Sequence, residues 1–292
     1  MFFSSNPSHL SLTLDLGAAF VLGLVHGITP DEHTWPITFS YAVSGYSARR
    51  GLQAGLIFSL AFAIQSALAS ELAFLGLAHW QDWGKSEYVV DVFVGLAMAS
   101  AGLFMKGRAL FSRAGGTRHP SNHGDAGTAL RDPRPWMPAL HGFVAGWGVG
   151  PFTAIVYTTL APAMPSPTIA WLPGLIFGLG TLVIQGCAGA AIGAWLASRG
   201  FSYEDVRRIG LTTAARTLLW GGVAFLIYGI FGVIFPHVAG IAVTTPIHIP
   251  NLHVLGIPFL LLMLIVVGIG MTSLVTATRA GMRHAATGSF RT

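Results

Sequence analysis

His26-Gly27-Ile28-Thr29-Pro30-Asp31-Glu32-His33-Thr34-Trp35-Pro36 sets two imidazoles and two carboxylates at the end of an apolar run. Ionisable side chains next to a membrane-length segment need a functional reason. As one continuous α-helix the stretch would put His26 and His33 on one face but about 10 Å apart, at 1.5 Å per residue. A single metal, bound at about 2 Å from nitrogen or oxygen, cannot bridge that gap. The residues supply a break instead. Gly27 is conformationally permissive, Pro30 removes a backbone donor and restricts Thr29, and Pro36 repeats the effect. A bent segment can fold its ligands together. The carbonyls it releases are tolerated at membrane depth only where protein or a water-lined cavity satisfies them. A broken helix carrying His, Asp and Glu is the local form expected of an intramembrane ion site. The competing reading is a helix that simply ends here, with both histidines at the interface.

Composition agrees with a membrane setting. Of 292 residues 53% are hydrophobic and 9% charged, with a mean hydropathy of +0.64. A soluble domain carries about a quarter charged residues. The net charge of +5 would in a soluble chain invite nucleic acid; here loop topology accounts for it, and no nucleic-acid partner is expected. The single Cys187 excludes an intrachain disulfide and a thiolate cluster. The N-terminus lacks the basic start and cleavage site of a secretory signal, so the first apolar run is expected to remain as a span.

Seven spans are predicted, at about 10–25, 54–77, 89–105, 138–163, 169–197, 217–235 and 257–278. Residues 34–46 form the second half of a broken or re-entrant first helix, stopped at Arg49 and Arg50. Cytoplasmic loops retain Lys and Arg, and on this count 15 of the 16 basic residues fall on one face, with Lys85 opposite. That arrangement places the N-terminus outside and the C-terminus in the cytoplasm, in the cytoplasmic (inner) membrane. Residues 1–105 form the first repeat and 106–136 a flexible cytoplasmic linker rich in Gly, Pro and Ser. Residues 137–236 form the second repeat. Residues 237–292 are an outer histidine-containing loop, a last helix and a basic tail. His119 and His123 in the linker, and His237, His248 and His253 in the outer loop, are secondary metal-binding candidates. Prolines at 236, 246, 250 and 258 argue against regular structure in that loop.

The halves match. His26-Gly27, eight residues, Pro36, one residue, Thr38 recurs as His141-Gly142, eight residues, Pro151, one residue, Thr153. Gly55-Leu56-Ile57-Phe58 recurs as Gly174-Leu175-Ile176-Phe177. Three spans per half make the repeats inverted, a construction of alternating-access transporters, with the last helix as an addition. Asp31 and His33 correspond to Gly146 and Gly148, so the first half keeps the ligands and the second a glycine-rich bend. His141 is the imidazole the second half can add, as a ligand or as a buried partner of a neighbouring helix. Thr38, Gln65, Thr153 and Gln185 are candidates for the translocation path, the glutamines also serving as interhelical bonds. Asp15 and Glu71 lie towards the outer ends of their spans, where acids attract cations.

The motif resembles the nickel/cobalt transporter family and the related hydrogenase and urease accessory permeases of the lysine-exporter superfamily. The accessory permeases carry His, five residues, Asp, His; here His26, Asp31, Glu32 and His33 match that spacing with Glu in place of Asp. Phe58-Ser59-Leu60 is similar to the family's Phe-Ser-Leu-Gly-His, with Ala61-Phe62 replacing Gly-His. The family's acidic segment in the second half has no counterpart, because the nearest match, 178–183, holds no carboxylate. The resemblance covers the first two spans and implies transition-metal transport.

The expected function is therefore secondary transport of a divalent transition metal, nickel or cobalt first, through His26, Asp31 and His33, joined by Glu32 and His141. Imidazole with carboxylate suits such ions, and missing thiolate speaks against Cu⁺. The metal is cargo, with no fixed cofactor. The lipid bilayer is the other expected partner, and no enzymatic activity is expected. The alternatives are a membrane-embedded metal enzyme, with Glu32 as base beside a metal-activated water, and an exporter of a small anion such as sulfite.

Overall fold

A computed structural model describes residues 7–29, 34–76, 83–106, 130–246 and 253–288. The first half contains α1 (Pro7–Ile28), α2 (Trp35–Ser44), α3 (Ala48–Phe74) and α4 (Trp83–Met105). The second contains α5 (Trp136–Ala145), α6 (Pro151–Ile155) running into a π-helical turn (Val156–Leu160), α7 (Leu172–Ala197) and α8 (Tyr203–Ile234). Then follow α9 (Pro236–Ala239), strands β1 (Ala242–Thr244) and β2 (Val254–Gly256), and α10 (Ile257–Gly288). The protein is an all-α polytopic membrane protein. Among the described residues, α1, α3, α4, α7, α8 and α10 are long and apolar enough to cross a bilayer.

The expected fourth span, 138–163, is broken at the glycine-rich bend expected there. It divides into α5 and α6 around the bend Gly146-Trp147-Gly148-Val149-Gly150, with Pro151 opening α6. The expected sixth span also starts earlier, because α8 begins at Tyr203 and carries Arg207, Arg208 and Arg216 on the helix itself. Its start is set by Ser202, whose hydroxyl accepts the Asp205 N–H at 3.2 Å and donates to the Asp205 carboxylate at 2.6 Å. Likewise α3 begins at Ala48, capped by Ser47, so Arg49 and Arg50 open α3 rather than end the preceding segment. The outer loop departs from expectation too. Its prolines flank rather than interrupt an antiparallel pair that matches Ala242 with Gly256 and Thr244 with Val254.

The centre of the bundle is α3 crossing α7 in opposite directions. A Cβ added to Gly55 would lie 2.5 Å from the Gln185 carbonyl oxygen, and one on Gly174 would lie 1.9 Å from that of Ser66. Small residues let membrane helices approach this closely, where dispersion and packing replace the missing hydrophobic drive. Under the internal match Gly55 corresponds to Gly174 and Ser66 to Gln185, so the two contacts exchange with each other. A two-fold relation between the halves would require such an exchange. Helix α4 crosses α8 antiparallel in the same manner, with Gly95 on Gly222 and Gly229 on Tyr88. On either side of the centre, α1 packs on α7 and α5 on α3.

One end of the bundle gathers arginines. Arg207 pairs with Asp132 at 2.9 Å, joining the start of α8 to the segment before α5. Arg50 donates to the Tyr46 hydroxyl and lies over its ring, and Tyr46 meets Tyr203 edge-on at 5.4 Å. Burial, then the Tyr203 hydroxyl and the Asp132 carboxylate, push the Tyr46 phenol above its ordinary range, against the pull of Arg50. Tyr46 has φ 43°, a left-handed conformation uncommon outside glycine, in the tight turn from α2 to α3. The hairpin lies at the other end, past the full length of α8.

Candidate functional site

The break after α1 is built from local bonds. Thr29 N–H donates to the Val25 carbonyl at 2.9 Å, and the Thr29 hydroxyl donates to the His26 carbonyl at 3.1 Å. Thr34, which is buried, precedes Trp35 and Pro36 in the first turn of α2. Asp31, Glu32 and His33 fall between these points and lie outside the described residues, as do His119, His123 and His248.

His26 is 4% exposed. One turn before it, Gly23 lets α1 sit directly on the α7 backbone, where an added Cβ would lie 2.0 Å from the Phe177 carbonyl oxygen. This brings the imidazole among three phenylalanines, with ring centroids at 5.3 Å for Phe177, 5.7 Å for Phe62 and 5.8 Å for Phe152. The Phe62 ring is stacked on it. At the position where the family resemblance anticipates a histidine, this chain thus provides an aromatic wall for the first one.

His26 also lines a cavity of about 300 Å³. Thr34 of the first break and Gly148, Gly150, Pro151 and Thr153 of the second border the same space. So do Glu87, Tyr88 and Tyr228 on α4 and α8. At the hairpin end the walls are Gly240, Ala242, Gly256 and Phe259. The bend of the second half thus faces the broken helix of the first, and the glycines leave space where side chains would fill it. Thr153, whose hydroxyl donates to the Gly150 carbonyl at 2.8 Å, closes the first turn of α6.

The other sequence candidates lie elsewhere. His141 is buried, and its Nδ1 lies 3.0 Å from the Tyr41 hydroxyl and 2.8 Å from the Met137 carbonyl oxygen. It ties α5 to α2 and does not line the cavity. Gln65 and Gln185, both fully buried, and Thr38 also stand outside the lining. Gln185 donates to the Gly27 carbonyl at 3.1 Å, while the Gln65 oxygen lies against Gly146. Asp15 accepts a bond from Ser11 at 3.4 Å on α1, and the His253 ring approaches the Thr245 carbonyl at 3.0 Å beside the hairpin.

Two carboxylates went unread in the sequence. Glu87 borders the cavity, and Asp91, one turn further along α4, is fully buried. Their spacing of four residues at the leading edge of an apolar run is the signal that could have found them. Among the described residues no three of His, Cys, Asp and Glu gather closely enough to hold a metal. Asp31, Glu32 and His33, the other ligands expected from the sequence, lie outside the residues this covers. Compared with known proteins, the chain matches no family model, no curated protein and no solved structure.

Proposed function

We propose that the protein is a secondary transporter of a divalent transition-metal cation, nickel or cobalt first, built from two inverted repeats. The observation that carries this reading is the cavity that ends on buried His26 between the two helix breaks. A buried imidazole lining a cavity with Thr34, Glu87 and Thr153, on a segment that continues into Asp31, Glu32 and His33, fits a cation moving between ligands. The Glu87 carboxylate adds negative potential on the way in. Metal and protons compete for the same lone pairs, which makes proton-coupled movement the natural mechanism. The proposed site of residence is the cytoplasmic membrane, with the arginine-rich end inside.

The test is flux. Purified protein in sealed liposomes is expected to move Ni²⁺ or Co²⁺ across the bilayer, read by a metal-sensitive dye inside. An imidazole must be neutral to ligate, and its ordinary pKa is about 6.5. Flux is therefore expected to fall as the pH on the binding side is lowered. Binding without flux, in either orientation and under a proton gradient of either sign, would reject transport while keeping the metal site.

The proposed orientation has its own check. A reporter fused at Gly124 is expected to face the cytoplasm and one at Asn251 the outside. The reverse pattern, or one side for both, would overturn it.

A further inference from the structure

A helix that stops inside a bilayer leaves its last carbonyls without intrahelical donors, and each must find one in protein or water. Among the described residues at the end of α1, three of these bonds are seen. The Val25 carbonyl receives the Thr29 N–H and the His26 carbonyl receives the Thr29 hydroxyl. The next carbonyl, Gly27, receives its bond from the other half of the protein, from the Gln185 side-chain amide of α7 at 3.1 Å. One turn earlier on α7, the Thr181 hydroxyl bonds the Gly23 carbonyl at 3.1 Å. The second break needs no such help. Gly146, Trp147 and Gly148 turn their own N–H groups back onto the Gly142, Val144 and Ala145 carbonyls, and Gln65 only rests against Gly146.

From the Gln185 bond to the Gly27 carbonyl we infer that Gln185 is a positioning residue, capping the broken end of α1 from the opposite half and thereby holding His26 in the cavity wall. Gly27 follows His26 directly, so its peptide plane sets the direction in which the chain leaves the imidazole. Without the amide donor the Gly27 carbonyl has to turn towards the cavity for water. That rotation displaces His26 and the segment behind it. The role assigned to His26 rests on the metal reading; the cap itself does not.

The experiment uses Gln185→Met, which keeps the volume and removes the donor, with Gln65→Met as its counterpart. In metal-free protein in nanodiscs, hydrogen exchange of the peptide covering 24–29 is expected to rise about tenfold in Gln185→Met and to stay unchanged in Gln65→Met. Ni²⁺ affinity is expected to weaken about tenfold in Gln185→Met and not to change further when Gln185→Met is added to His26→Ala. Unchanged exchange, or equal exchange in both glutamine variants, overturns the cap. Additive losses with His26→Ala overturn the positioning of His26. A response in exchange together with no Ni²⁺ binding by the unaltered protein would uphold the cap and reject the metal reading.

Discussion

Leucine in place of Gly174 is expected to leave no folded protein in the membrane. The obstacle is backbone. An added Cβ meets the Ser66 carbonyl oxygen at 1.9 Å and its carbon at 2.5 Å, and neither can swing aside as a side chain would. The antiparallel crossing of α3 and α7 must open along its length, and every contact the central pair supports is lost with it. Alanine is the graded version. Its single methyl is expected to destabilise by about 1–3 kcal/mol, the usual range for overpacking. Gly17 and Gly268 provide the controls, since a Cβ at either would meet nothing within 4 Å. Alanine there is expected to leave stability unchanged or slightly raised, as removing glycine from a helix interior does. Thermal melting followed by size-exclusion chromatography in detergent reads all four variants. A monodisperse Gly174→Leu protein would show that the seam is not what holds the halves together.

His26→Ala is expected to abolish metal flux in liposomes while the protein remains folded in the membrane. Alanine removes both the proposed ligand and the packing of three phenylalanine rings, so on its own it confounds two causes. His26→Phe separates them by keeping a ring among Phe62, Phe152 and Phe177 and removing both nitrogens. If ligation is the role, both variants lose flux and Ni²⁺ affinity falls at least about tenfold, or about 1.4 kcal/mol. If the role is packing, His26→Phe transports normally. Flux at the unaltered rate in both would sink the site. Glu87→Gln, at the cavity wall, is expected to slow metal entry at low ionic strength and to approach the unaltered rate at high salt, because screening removes attraction over distance.

The helix breaks were legible because glycine and proline act locally, and their effect on the backbone does not depend on what packs around them. Span ends were less so. Hydropathy registers lipid contact, whereas α8 extends beyond the apolar run on the strength of the Ser202 cap, with Arg207 held by Asp132. The bend within the fourth span was legible in Gly146, Gly148 and Gly150, which the repeat aligned with the first break. The candidate site was legible only on its own strand of sequence. Nothing in the spacing of Phe62, Phe152 and Phe177 says that their rings converge on His26; that follows from Gly23 admitting α1 to the α7 backbone. Glu87 was passed over because an acid at the start of a span reads as interfacial until the neighbouring helices enclose it. Gln65 and Gln185 both lie in the repeated segments, although the direct counterpart of Gln185 is Ser66. They differ in what they touch: Gln185 donates to the Gly27 carbonyl, whereas the Gln65 oxygen lies against Gly146.

The glycine seam also limits how the protein can change over generations. Where a large residue crowds a neighbouring side chain, a second substitution that shrinks the neighbour restores the fit, and compensating pairs can drift together. At Gly55 and Gly174 the neighbour is a carbonyl oxygen, which every amino acid carries. No substitution at Gln185 or Ser66 makes room. A search for second-site suppressors of Gly174→Ala should therefore return nothing on the facing turn of α3, and only changes that stabilise the bundle elsewhere.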